Sequence, residues 1–115
     1  MLSRIGAVWM YVHPQSLKYV LGWLIVGMRG GATRAQIIGV LKDRPQNANQ
    51  LANLVGKDYT TIRHHLKVLE KNRIITSVGD KYAATYFLSS EMEENYELFE
   101  EILKILKHEE KRIER

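Results

Sequence analysis

The sequence lacks cysteine, and this absence excludes several classes of protein at once. Without thiols the chain cannot build a disulfide framework, a cysteine-ligated zinc site, an iron–sulfur centre or a thiolate nucleophile. Proline is nearly absent too, with 2 residues in 115, and the 8 glycines form no repeat, so collagen-like and low-complexity chains are excluded. The length fits one domain with a buried core, and the absence of cysteine is compatible with the reducing cytoplasm, which is the location we predict.

Acidic residues are scarce in the middle of the chain. The formal net charge is +4, but residues 29–88 carry ten basic residues against four acidic ones, whereas residues 89–115 carry five basic residues against nine glutamates. A basic segment that precedes an acidic one indicates a polyanionic partner that meets the basic segment alone.

Uncharged runs are concentrated near the N-terminus, where they are short for a membrane span. The run Tyr19–Met28 has half of the roughly 20 residues that a bilayer requires, so we expect no stable span. Pro14 suits the first turn of a helix and Gly30-Gly31 suit its end, which predicts a helix over Pro14–Met28. Its apolar residues lie on more than one face, as is typical of a helix that is buried or contacts another subunit.

Start and stop signals predict two short helices between residues 33 and 56. Thr33 is the expected N-cap of the first helix. Asn47 is the expected N-cap of the second, with Gln50 as its capping-box partner, and Gly56 ends it. The next helix begins only two residues later, and two helices joined by so short a turn are typical of a helix-turn-helix.

The third helix is predicted from its N-cap Asp58 to about Asn72. Its inward face repeats at helical spacing, with Ile62, Leu66 and Leu69. The opposite face has no acidic side chain and carries Thr60, Arg63, His64, Lys67 and Lys71. The major groove of B-DNA admits one helix and offers guanine acceptors that an arginine reads in bidentate fashion, whereas lysines suit phosphates.

The histidines do not predict a metal site. His64 and His65 are neighbours in a helix and point about 100° apart, so they cannot share an ion. His65 lies near the inward face, and we interpret it as a packed, hydrogen-bonded structural residue. Arg34 and Arg44 are further candidates for contacts to a DNA backbone.

After residue 73 the apolar period changes from helical to alternating, which predicts a hairpin. Its strands are Ile74–Val78 and Lys81–Leu88, joined by Gly79-Asp80 as a two-residue turn. One face of this hairpin would carry Ile75, Tyr82, Ala84, Tyr86 and Leu88. Lys81 at the tip is a candidate for a second contact with a polyanion.

Ser90 and Glu93 form a second capping box, which predicts a single helix to about Arg112. Its apolar residues alternate by four and three, the spacing of a coiled-coil seam. Together with the N-terminal helix, this seam predicts a homodimer whose contacts are Leu17, Leu21, Leu24, Met28, Met92, Tyr96, Phe99, Leu103 and Leu106.

The stretch from Thr33 to Leu88 resembles a winged helix-turn-helix of the ArsR type, particularly the archaeal regulators. The resemblance is carried by residues 29–75 and 79–89, and most strongly by TIRHHLKVLEKNRII at residues 61–75. It implies a dimeric transcription regulator that binds operator DNA. The positions it assigns to DNA contact are Tyr59, Thr60, Thr61, Arg63, His64 and Lys67 on the recognition helix and Lys81 on the wing.

Two positions depart from the family pattern. Residues 50–55 hold none of the cysteines of the metal-sensing branch, so thiolate metal sensing is not implied. Asp58 stands where the family often has serine, and its carboxylate would repel a nearby phosphate while stabilising the helix dipole.

The predicted fold is therefore mainly α, of the α+β kind. A winged helix-turn-helix over residues 32–88 is flanked by a helical segment at 1–31 and a C-terminal helix at 89–115, both for dimer contact. The predicted function is sequence-specific binding of double-stranded DNA, without enzymatic activity, metal or cofactor.

Two alternatives stay open: a winged helix for protein contacts in the transcription machinery, and a regulator tethered to a membrane through residues 1–28 and their flanking Arg4, Lys18 and Arg29. The sequence identifies no small-molecule effector.

Overall fold

The computed structural model of the protein describes residues 14–114, with side chains described for residues 16–113. The expectations for residues 1–13, including the Arg4 flank of a membrane tether, lie outside this range. The elements in chain order are α1 (Pro14–Gly22), a π-helix (Trp23–Gly27), α2 (Gly31–Asp43), β1 (Gln46–Asn47), α3 (Ala48–Val55), α4 (Tyr59–Lys71), β2 (Ile75–Val78), β3 (Thr85–Leu88), α5 (Ser90–Glu94) and α6 (Tyr96–Glu114).

Residues 33–94 form one compact unit with a winged helix-turn-helix fold, as the sequence predicts. It contains helices α2, α3 and α4 and an antiparallel sheet with the strand order β1-β3-β2, in which β1 lies between α2 and α3 along the chain. The helices and the sheet share a core of buried aliphatic side chains, which includes Ile37, Leu41, Leu51, Ile62, Leu66, Leu69, Ile74 and Leu88. Burial of this apolar surface fixes which face of each helix points outward.

The predicted caps of α3 and α4 are present. The Asn47 side chain accepts a hydrogen bond from the Gln50 amide at 2.8 Å, and the Gln50 side chain accepts one from the Asn47 amide at 2.8 Å. Gly56 ends α3 in a left-handed conformation with φ 76°. The prediction for Thr33 is wrong, because α2 already begins at Gly31 and Thr33 lies buried in its first turn.

The hairpin forms with a longer loop than predicted. Val78 pairs with Thr85, so six residues, 79–84, connect the strands instead of two. The register therefore moves by four residues, and an even shift leaves each side chain on its original face. Tyr86 and Leu88 are accordingly buried as predicted, whereas Tyr82 leaves the strand and is exposed.

A third strand, β1, was not predicted. Its two residues Gln46 and Asn47 pair with Tyr86 and Thr85. Two polar residues after Pro45 carry no periodicity from which a strand could be recognised. Pairing with β1 makes β3 the central strand of the sheet.

Residues 14–32 and 95–114 form the second unit, in which α1 and the π-helix pack against α6. The predicted helix Pro14–Met28 is present as an α-helix that changes to a π-helix at Trp23. The interior of this unit holds Leu17, Leu21, Leu24, Ile25, Phe99 and Ile102, all nearly inaccessible to solvent. Lys18 and Glu101 form an exposed salt bridge of 3.0 Å between the helices. Over residues 14–114 no helix is both long and apolar enough to cross a bilayer.

The turn into α2 is tightly packed. Gly30 has φ 82°, and a Cβ atom added to the next residue, Gly31, would lie 1.7 Å from the carbonyl oxygen of Ile25. Only a glycine fits at Gly31 without moving the backbone, because the obstructing atom belongs to the main chain.

The single C-terminal helix of the prediction is two helices. It is interrupted at Asn95, between α5 and α6. The Ser89 hydroxyl accepts a hydrogen bond from the Met92 amide at 3.2 Å. The capping side chain is therefore Ser89, one residue before the predicted Ser90.

Candidate nucleic-acid interface

Helix α4 is anchored by the inward face that the sequence predicts. Ile62, Leu66 and Leu69 are each at most 1% exposed. Because three aliphatic side chains at this spacing are buried, α4 cannot rotate about its own axis. The opposite face of the helix is therefore exposed to solvent. The buried face of α4 therefore consists of these apolar residues together with His65.

The presented face of α4 is basic. Thr60, His64, Lys67 and Lys71 are exposed, whereas Tyr59, Thr61 and Arg63 are half-buried. Glu70 is the acidic residue of this helix, and its carboxylate accepts a hydrogen bond of 2.6 Å from the Ser77 hydroxyl of β2. The carboxylate of Glu70 is thus directed towards the sheet, and the face that carries Lys67 and Lys71 remains basic.

Arg63 is held by the wing, which is the hairpin of β2, β3 and the 79–84 loop that connects them. Its Nη1 atom donates to the Tyr86 hydroxyl at 2.5 Å and to the backbone carbonyl of Lys81 at 3.5 Å. Burial raises the pKa of the Tyr86 hydroxyl above its usual value, although the nearby Arg63 charge opposes this shift, so the hydroxyl stays protonated at neutral pH. The guanidinium of Arg63 is thus hydrogen-bonded within the protein, and its predicted contact with base edges stays a prediction.

The N-terminus of α4 carries a fixed negative charge. The Asp58 carboxylate accepts hydrogen bonds from the Thr61 amide at 3.3 Å and from the Thr61 hydroxyl. These bonds lower the pKa of Asp58, the hydroxyl contributing most, so the carboxylate is ionised at neutral pH. The amide and the hydroxyl of Thr61 are therefore engaged by the Asp58 cap, and the predicted contact of Thr61 with DNA stays a prediction.

The tip of the wing is formed by the 79–84 loop. Lys81 is exposed as predicted, and its Nζ atom lies 5.3 Å from the centre of the Tyr82 ring. Tyr82 is 75% exposed, and the sequence pattern missed it because a two-residue turn would have placed it in the buried face of a strand. The tip thus presents a cation beside an aromatic ring, a combination that suits contact with a nucleic-acid backbone and sugars.

A buried arginine supports α4 from behind. Arg34 of α2 is 1% exposed, and its Nη1 atom lies 3.1 Å from Nδ1 of His65, which is 7% exposed. A guanidinium has no acceptor, so His65 accepts this hydrogen bond on a neutral ring nitrogen. His65 is therefore the structural residue that the sequence indicates, whereas Arg34 is not available to DNA.

The stability of the protein is expected to fall on acidification through His65. Burial, and next the Arg34 charge, lower the pKa of His65, and His64 and Lys57 add further positive charge. The unfolded chain then binds the proton first, so the free energy of unfolding is fully retained above about pH 7.5 and declines as the pH falls below about 6.5. Urea unfolding between pH 8 and pH 5 measures this decline.

His65→Gln serves as the matched variant, because the amide oxygen of glutamine accepts from Arg34 but does not titrate. It should reduce the pH dependence, whereas His108→Gln, at an exposed position of α6, should leave it unchanged. An equal pH dependence in His65→Gln and in the unsubstituted protein would contradict this assignment.

The residues predicted for dimer contact fall into two groups. Leu17, Leu21, Leu24, Met92 and Phe99 are at most 2% exposed within a single chain, so their side chains form its interior and are not available to a partner. Tyr96, Leu103 and Leu106 are half-buried and Met28 is exposed. Sequence periodicity identified apolar faces here, but it could not separate the part that one chain covers from the part that it leaves open.

Metal-binding groupings do not occur in the part of the chain that the structure describes: no three histidine, aspartate or glutamate side chains lie close enough together to hold an ion.

Sequence comparison agrees with this geometry. Residues 31–77 match the family described as "Bacterial regulatory protein, arsR family". Over 64 residues, 56% of this chain, the sequence is 34% identical to the HTH-type transcriptional regulator KmtR of Mycobacterium tuberculosis. The chain spans about half of that regulator's length, 49%.

Two solved structures are similar in fold. One is the homodimeric winged helix-turn-helix DNA-binding domain of a possible ArsR-family regulator from Mycobacterium bovis, with a TM-score of 0.59, 15% identity and 83% of each chain covered. The other is reduced HlyU from Vibrio cholerae, with a TM-score of 0.56, 19% identity and coverage of 82% of this chain and 90% of HlyU. All the organisms named are bacteria, so the expected likeness to archaeal regulators finds no support among them. The protein therefore has the winged helix-turn-helix fold, and its residues 31–77 are similar in sequence to the ArsR family of bacterial regulators.

Proposed function

We propose that the protein is a transcriptional regulator of the ArsR type that binds double-stranded DNA through α4 and the wing. The observation that carries this proposal is the exposed basic face of α4, with Lys67 and Lys71 in solvent above a fully buried aliphatic face. The match of residues 31–77 to a family of regulators supports it independently.

The roles of the side chains follow from their position on α4. Thr60 and His64 are exposed in the N-terminal half of the helix, the part that reaches base edges in helix-turn-helix proteins. Lys67 and Lys71 lie further along the helix and are suited to phosphates. Lys81 at the wing tip would provide a contact outside the major groove.

We further propose that the regulator acts as a homodimer through residues 14–32 and 95–114. This unit leaves large apolar side chains in solvent, with Tyr19 77%, Trp23 63% and Ile105 47% exposed. The similar domain from Mycobacterium bovis is homodimeric. Two-fold symmetry would place two copies of α4 in successive major grooves about 34 Å apart and select a nearly palindromic site.

Selection of binding sites from random duplexes tests DNA binding and symmetry together. The expected result is an enriched site of two inverted half-sites whose centres lie one helical turn apart, about 10 base pairs. If no duplex is enriched at about 50 mM salt, where phosphate contacts are strongest, the proposal is overturned.

A further inference from the structure

Arg63 connects the recognition helix to the wing at two points. Its guanidinium donates to the hydroxyl of Tyr86 on the central strand and to the backbone carbonyl of Lys81 in the 79–84 loop. Tyr86 is 4% exposed, so the first acceptor is fixed in the core, whereas the second acceptor belongs to an exposed segment. The Arg63 side chain thus connects α4 both to the buried Tyr86 of the central strand and to the exposed 79–84 loop.

We infer that Arg63 is a positioning residue that holds the wing loop against α4, and that it does not read a base. This inference rests on the proposed function and specifies the part that one residue plays in it. The loop carries Lys81 and Tyr82, the side chains that the wing offers to DNA, so the place where they meet the duplex depends on Arg63.

The geometry opposes a direct role in reading bases. To reach guanine, the guanidinium would have to leave the Tyr86 hydroxyl, and a buried hydroxyl without its partner is unfavourable. Both hydrogen bonds leave the same Nη1 atom, and the planar guanidinium holds its N–H donors in fixed directions, whereas the ammonium of a lysine is a compact charge on a flexible stem. Within residues 16–113 the side chains of Thr60 and His64 make no such hydrogen bond, and both are exposed and available to base edges.

Tyr86→Phe and Arg63→Gln test this inference in the full-length protein. Tyr86→Phe removes one buried oxygen and keeps the ring and the charge. In the free protein, both variants are expected to shift the backbone amide NMR signals of residues 79–84 and to speed their hydrogen exchange. Both should weaken binding to the selected duplex by about fivefold, the effect of one lost hydrogen bond, and the double variant should lose no more than either single variant.

Two further variants separate position from charge. Arg63→Lys keeps the charge but replaces the planar guanidinium, whose donors point in fixed directions, by a compact ammonium, so it should still disturb the loop. Lys67→Gln removes one charge from the same helix; it should leave the loop amides unchanged and lower the slope of log affinity against log salt by about one.

The inference is overturned if Tyr86→Phe leaves duplex binding unchanged or strengthens it while Arg63→Gln weakens it and relaxes the preference at one base pair. It is equally overturned if the loop amides do not respond to either variant. A protein that binds no duplex would instead refute the proposed function, and the amide signals of the free protein would still decide the role of Arg63.

Discussion

Gly31→Ala is expected to lower the free energy of unfolding by about 3 kcal/mol or more, and Tm by more than about 10 °C. The added methyl group would lie 1.7 Å from the carbonyl oxygen of Ile25, a distance that no rotamer change relieves because both atoms belong to or adjoin the backbone. The connection between the π-helix and α2 must therefore move. Thermal and urea unfolding measure the effect.

Gly39→Ala is the matched control, since it makes the same change in the same helix. Nothing lies within 4 Å of a Cβ atom at Gly39, which is interior to α2. Alanine should stabilise the protein there by about 0.5–1 kcal/mol, because it loses less backbone entropy than glycine on folding. If both variants changed stability equally, the packing of the Gly31 turn described above would be incorrect.

Lys67→Gln combined with Lys71→Gln is expected to weaken duplex binding by on the order of a hundredfold at about 50 mM salt. Two phosphate contacts release about two counterions, so the slope of log affinity against log salt should fall by about two. The loss should shrink steadily as salt is added and be similar for selected and random duplexes, because phosphates carry no sequence information. Fluorescence anisotropy across a salt series gives both quantities.

The corresponding control is Lys104→Gln with Lys107→Gln. These lysines are exposed on α6, so the variant has the same net charge as the α4 variant but an unchanged recognition helix. Its salt slope should remain that of the unsubstituted protein. An equal fall in slope for both pairs would mean that net charge alone, and not the α4 face, governs binding.

The helices of the 33–94 unit could be predicted because their signals are local. The capping box of Asn47 and Gln50 lies within three residues, and the buried spacing of Ile62, Leu66 and Leu69 lies within two turns. Such signals are present in the sequence itself and need no information from distant residues.

The wing and the termini were predicted less well because their geometry depends on distant partners. The strand β1 lies about forty positions before the central strand β3, with which it pairs through Gln46–Tyr86 and Asn47–Thr85. The same limit applies to Arg63 and Arg34, whose acceptors Tyr86 and His65 are 23 and 31 residues away. A charge on a helix face predicts an exposed cation, and only the folded structure shows which cations are held within the protein.

The observed hairpin register differs from the predicted one by an even number of residues. For this reason the Arg63–Tyr86 hydrogen bond helps to define how β2 and β3 align. Sliding β3 past β2 by two or four residues would bury the same face, so hydrophobic packing alone does not distinguish the short turn from the six-residue loop. Each slide would carry the Tyr86 hydroxyl about 7 Å or more along the sheet, beyond the reach of Arg63. The Arg63–Tyr86 hydrogen bond therefore favours the observed alignment over others that bury the same face, and with it the length by which the wing projects.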